Sequence, residues 1–182
     1  MGRVYYLDEC RRRIAARKGF DPWMLRFGVP FDEETSVRKL DNATIKWLIR
    51  GNEESSAALH ELIMGTNGLG RGSRFQLLDS ESKMDVTDVE LFLLDLVRFE
   101  AMYRLGWLDD YPLLEVPLVD LIQNFHDSYA NARHSSPAIS SFHPMYKEYA
   151  AQFEGDRHSF VRRLIPEAIG TFCDTEGDPI NK

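Results

Sequence analysis

The sequence predicts an all-α fold: one domain of about seven helices, spanning residues 1–173, packed around a long central rod and followed by a polar tail over 174–182. Three observations carry this prediction. Between Thr87 and Leu108 the residues Val89, Phe92, Leu96, Phe99, Tyr103 and Trp107 recur at helical spacing, within a sector roughly 80° wide. Leu91, Leu94, Ala101 and Leu105 cover much of the opposite side, and a helix apolar on two sides needs neighbours on both. Glycine and capping residues then divide the rest of the chain into shorter amphipathic segments.

Taken in order, Asp8 is placed to cap a helix over 9–18 that Gly19 ends, and Asp21-Pro22 reads as a new start, cap then proline, stopped by Gly28. Apolar periodicity predicts a helix over 37–50 closed by Gly51. Glu53 and Glu54 then open a further helix, where negative charge suits the dipole, with Ala58, Leu59, Leu62 and Ile63 as its buried face before Gly65. Phe75, Leu77 and Leu78 suit a short strand or an anchoring turn. Thr87 and Glu90 have the spacing of a capping box, so the central helix is expected over 88–105, with Gly106 as its left-handed cap. Within it, Glu100 and Arg104 have the i,i+4 spacing of a helix-face ion pair, worth about 0.2–0.5 kcal/mol. Pro117 lies in the first turn of a second long helix, 118–133, whose apolar spacing predicts antiparallel packing on the first. A short helix over 145–153 and a last one capped by Asp156 and kinked at Pro166 complete the chain.

Composition narrows the function classes. The chain is 43% hydrophobic and 12% aromatic, as folded proteins are, and Cys10 and Cys173 have no metal or redox spacing. Arg3, Asp8 and Glu9 interrupt the first ten residues, so no apolar leader is expected and the cytoplasm is the expected location. Asp95, Arg98, Glu100 and Arg104 exclude a membrane-spanning role for the central helix, since each would cost about 2.5–3.5 kcal/mol at mid-bilayer. The net charge of -7 is uneven: residues 1–18 carry six bases against two acids, and residues 79–127 twelve acids against three bases. Such an acidic middle repels a polyanion, so nucleic acid is not an expected partner. Three Trp and eleven Phe in so short a chain suggest apolar surface left for another protein or for a second copy in a homodimer.

Of the candidate sites, the loop over 65–74 carries the strongest signal. Gly68, Gly70 and Gly72 let backbone amides converge on an anion while Arg71, Ser73 and Arg74 add donors, the chemistry of a phosphate cradle. It is not a Walker A loop, because Gly70 is followed by Arg71-Gly72 rather than Lys-Ser/Thr, and a helix precedes it. The opposing reading is a plain connection whose arginines pair with Asp79, Glu81 or Asp85. His126-Asp127 resembles the His-Asp dyad of HD-type metal phosphohydrolases. That resemblance implies a divalent metal held with His60 and with Asp156 or Asp174. His126, His134, His143 and His158 lack the spacing of a zinc motif, and no serine stands in a nucleophile elbow. No catalytic residue, metal ligand or cofactor is therefore assigned. The sequence favours a non-catalytic cytoplasmic binding protein, with a metal-dependent phosphohydrolase or another enzyme acting on a phosphorylated ligand as the alternative.

Overall fold

The computed structural model describes residues 2–134 and 136–175. Among them are nine α-helices and three 3-10 turns, with no strand and only two isolated bridges, Ser36 to Pro117 and Leu108 to Ile139. The fold is all-α, as the periodicity predicts. No helix among the described residues is long and apolar enough to cross a membrane.

The first helix, α1 (Gly2–Phe27), runs straight through the predicted boundary at Gly19. Pro22 lies inside it, and a proline has no N–H for the carbonyl four residues back, so the Lys18 carbonyl has no partner within the helix. That bare turn is where α3 (Glu53–Thr66) crosses: a Cβ on Gly65 would stand 2.5 Å from the Lys18 oxygen, and one on Gly19 would stand 2.4 Å from Thr66 Oγ1. Gly19 is therefore a close-packing residue rather than a helix stop. Trp23, one turn further, is fully buried and donates its indole N–H to Ala58 O at 2.7 Å, which fixes the same crossing.

The predicted helix over 37–50 is broken in two. Val37–Lys39 is a 3-10 turn, and α2 (Asn42–Leu48) restarts at Asp41, whose carboxylate accepts from Thr44 N. The central helix α4 (Ser80–Arg104) begins two turns before Thr87, because Asp79 supplies the cap by accepting from Ser82 N. Thr87 instead donates its hydroxyl to Lys83 O within the helix. The capping-box spacing was met, but Glu90 found tertiary partners on α3.

The second long helix is also divided. Asn124, at φ -113° and ψ 37°, separates α5 (Leu118–Gln123) from α6 (Phe125–His134). The expected antiparallel partner of α4 is thus replaced: α4 packs mainly on α3 and α9, and α5 sits against α1 and α3. The chain ends with α7 (Tyr146–Ala150), α8 (Glu154–Arg163) and α9 (Ile165–Asp174). Pro166 takes the second position of α9, where its missing N–H costs nothing, so the helix starts there rather than kinking. Phe153 holds the cap position of α8, and Asp156 lies within its first turn. The tail after Thr175 lies outside the described residues.

Candidate functional site

The glycine-rich loop leaves α3 through a left-handed cap. Gly68 adopts φ +69°, its N–H donates to Gly65 O (3.2 Å), and Leu69 N donates to Met64 O (2.8 Å), the paired bonds of a Schellman closure. Two of the amides expected to face an anion are spent on this cap. The same bonds occupy the Met64 and Gly65 carbonyls, which would otherwise repel an anion at the negative end of the helix dipole. Among the described residues, the amides of Gly70, Arg71, Gly72 and Ser73 donate to no backbone carbonyl.

Gly72 is pinned, since a Cβ there would lie 2.7 Å from the Glu61 amide on α3. The chain then turns into a 3-10 segment, Gly72–Leu77, anchored by Phe75. Phe75 stacks on the His60 ring at 4.1 Å and 20° between planes. His60 Nε2 lies 2.7 Å from Glu90 Oε2, and the Ser56 hydroxyl donates to the other carboxylate oxygen. Burial alone would push the Glu90 carboxyl up; the bonds from His60 and Ser56 outweigh it, and the net displacement is downward. Arg71 and Arg74 therefore project from a short segment clamped on both sides.

Arg71, Gly72 and Ser73 line a cleft of about 660 Å³ that Lys18, Asp21 and Leu25 of α1 also line, while Arg74 lines an adjoining hollow of about 460 Å³ with Gly70, Arg71 and Ser73. Arg71 and Arg74 are exposed, and among the described residues neither makes an ion pair. The acidic residues that follow do not take them. Asp79 is engaged by Ser82 N and Oγ at 2.9 and 2.8 Å, and the bond from Ser82 N, with that from its hydroxyl, holds the Asp79 carboxyl below its ordinary value. Glu61, also on the cleft wall, is neutralised by Arg26, whose Nη2 donates to both carboxylate oxygens at 2.9 and 3.0 Å. Among the described residues that line the cleft, Lys18 and Arg71 thus outnumber the one uncompensated carboxylate, Asp21, with Arg74 in the adjoining hollow.

A second cavity, of about 450 Å³, lies between α4, α6 and α8. Phe92, Asp95, Leu96 and Phe99, at i, i+3, i+4 and i+7 on α4, form its floor, and Ser136, His158 and Arg162 its polar wall. Ser136 Oγ and His158 Nδ1 are 3.0 Å apart, the geometry of a nucleophile and base. Arg162 Nη1 stands 3.4 Å from His158 Nε2 and has only protons to give, a contact that favours the tautomer with its hydrogen on Nδ1, on the side of Ser136. Burial, with the Arg162 charge, keeps the imidazole below its ordinary pKa and hence neutral. Asp95, which could have oriented the ring, is bound to Arg162 Nη2 at 2.8 Å instead.

The residues implied by the HD resemblance are dispersed. His126 and Asp127 are exposed on α6, His60 is committed to Glu90 and Phe75, Asp156 is exposed in the first turn of α8, and Asp174 ends α9. Among the described residues no three of His, Cys, Asp and Glu gather closely enough to hold a metal ion. His143 lies edge-on to Trp107 at 4.9 Å and accepts from Met145 N, so it serves the local turn. No family model matches the chain, and neither a curated protein nor a solved structure matches it significantly.

Proposed function

We propose that the protein is a non-catalytic, cytoplasmic helical binding protein that takes a small phosphate-bearing anion in the cleft between α1 and residues 68–74. The observation that carries this reading is the state of the two arginines. Arg71 and Arg74 flank a pinned glycine, stand on a segment held by the Phe75 to His60 stack, and have no carboxylate partner among the described residues although Asp79, Glu81 and Asp85 follow closely. Long cations that make only surface contacts normally sample many rotamers. Here the backbone beneath them is fixed, so part of the ordering cost of binding is already met. The amides of Gly70 to Ser73, which donate to no backbone carbonyl among the described residues, add neutral donors.

At the second cavity Asp95 is held by Arg162 at 2.8 Å rather than by His158, so the Ser136 and His158 pair lacks the carboxylate that orients the base of a nucleophilic triad, which supports binding over nucleophilic chemistry. Charge-assisted bonds to an anion are worth roughly 1.5–3 kcal/mol each. Calorimetric titration with inorganic phosphate, pyrophosphate and a nucleoside triphosphate tests the reading. Wild-type protein is expected to bind at least one of them, and the Arg71→Ala, Arg74→Ala double variant to bind it tenfold or more weakly. A wild-type melting temperature that stays constant up to millimolar concentrations of all three would overturn it.

A further inference from the structure

Eleven large apolar side chains are exposed among the described residues, and five of them stand in two rows at helical spacing. On α1, Leu7, Ile14 and Leu25 are 57%, 55% and 90% exposed. Their spacings of seven and eleven residues return to the same direction within about 20°. On α4, Met84 and Leu91, seven residues apart, are 67% and 56% exposed, and Leu77, on the 3-10 turn before the helix, is 82% exposed. A row of apolar side chains facing water is costly for a single molecule and marks a surface that another surface covers.

The flanking charges say which surface. Beside the α1 row, Arg17 and Lys18 are exposed and make no ion pair among the described residues, and Arg11 reaches only Asp8, at 3.6 Å. Asp21 is the one unpaired acid there. Beside the α4 row, Glu81, Asp85 and Asp88 are exposed and equally unpaired among the described residues, against one half-buried base, Lys83. One row is apolar and basic, the other apolar and acidic, and both belong to the same chain.

We infer that the partner of each row is the other row on a second copy of this chain. A two-fold dimer lays α1 of one protomer along α4 of its partner twice, burying both rows in both molecules at once. A head-to-tail contact would leave one row of each kind bare and would propagate into chains. An unrelated acidic helix would cover α1 only, and a membrane would leave the α4 row without a partner. The α1 row shares Leu25, Lys18 and Asp21 with the wall of the anion cleft, but neither Ile14 nor Leu91, the two residues that test the inference, lines that cleft.

Sedimentation velocity of the full chain across the micromolar range is the test, with circular dichroism as the control for folding. Wild-type protein should sediment as a dimer whose affinity falls as salt is added, because the flanking pairs are screened. Ile14→Glu places an acid against the acidic row, and Leu91→Lys a base against the basic row. Each variant alone should be a folded monomer with dimer affinity reduced tenfold or more. Mixing the two should restore a dimer, since one contact is then wild type and the other pairs Glu with Lys. A wild-type monomer at every concentration overturns the inference, as does a dimer that both variants leave intact. Failure of the mixture to associate overturns the two-fold arrangement.

Discussion

Removing the Glu100 carboxylate should destabilise the protein far more than its sequence spacing suggests. The side chain is fully buried, and its two oxygens accept from Arg104 Nε at 2.7 Å and Arg38 Nε at 2.9 Å. The Arg38 guanidinium also lies 3.8 Å from the Tyr103 ring centroid, so the carboxylate holds it against an aromatic face. Deleting one member of such a group leaves uncompensated charge in a dry site, which costs about 3–5 kcal/mol. Other partners soften the loss: Arg104 keeps Leu40 O, Arg38 O and Asn42 Oδ1, and Arg38 keeps Asp110 at 3.0 Å. The lower end, about 3 kcal/mol, is therefore expected for Glu100→Ala. Glu100→Gln keeps the shape and one acceptor but turns an N–H₂ toward a guanidinium, for about 2 kcal/mol. Urea unfolding followed by circular dichroism reads both values, and a chain of this length should lose about 2–4 °C in melting temperature per kcal/mol. A Glu100→Gln variant within about 0.5 kcal/mol of wild type would refute the reasoning, as it would show a water-screened pair of the kind the i,i+4 spacing alone implies.

Two further outcomes follow from packing and from titration. Gly65→Ala should cost about 1–3 kcal/mol, because its Cβ would meet the Lys18 backbone at 2.5 Å, whereas Gly170→Ala, with nothing within 4 Å in an exposed turn of α9, should gain about 0.5–1 kcal/mol; urea midpoints that move in the same direction for both would contradict the crossing described for α1 and α3. For His158, burial and Arg162 hold the folded imidazole below 6.5, so as pH falls through 6.5 the unfolded chain takes up the proton first and stability declines until the lowered folded value is passed. His158→Gln should flatten that decline in unfolding free energy measured between about pH 8 and pH 5, and an unchanged slope would count against the burial of the ring.

How much of this was legible in the sequence depended on the range of the interaction concerned. The helices themselves follow from apolar periodicity, a local property, and the class of fold with them. Boundaries failed where a distant group competed for a local one. Thr87 and Glu90 have the right spacing for a capping box, yet Glu90 is worth more to His60 and Ser56, and Asp79 was free to cap the helix earlier. Gly19 and Pro22 look like punctuation, but together they make the flat, donor-poor surface on which Gly65 can rest. Glu100 looked like half of a surface pair because the second arginine lies 62 residues away.

The same distinction governs the two cavities. The loop carrying Gly68, Gly70, Arg71, Gly72, Ser73 and Arg74 announces itself by composition, but composition does not say which amides remain once Gly68 has turned left-handed to close α3. Nor does it show that Phe75, one residue past Arg74, is held by a histidine from the helix before the loop, which a glutamate from the helix after it fixes in turn. That clamp makes a flexible-looking segment a fixed one, and it gives the arginines their meaning. Cations on a loose loop find the nearest acid, and Asp79, Glu81 and Asp85 are near in sequence. Cations on a segment anchored to α3 and α4 can be kept from those acids by geometry alone, and remain available to an anion that arrives from outside.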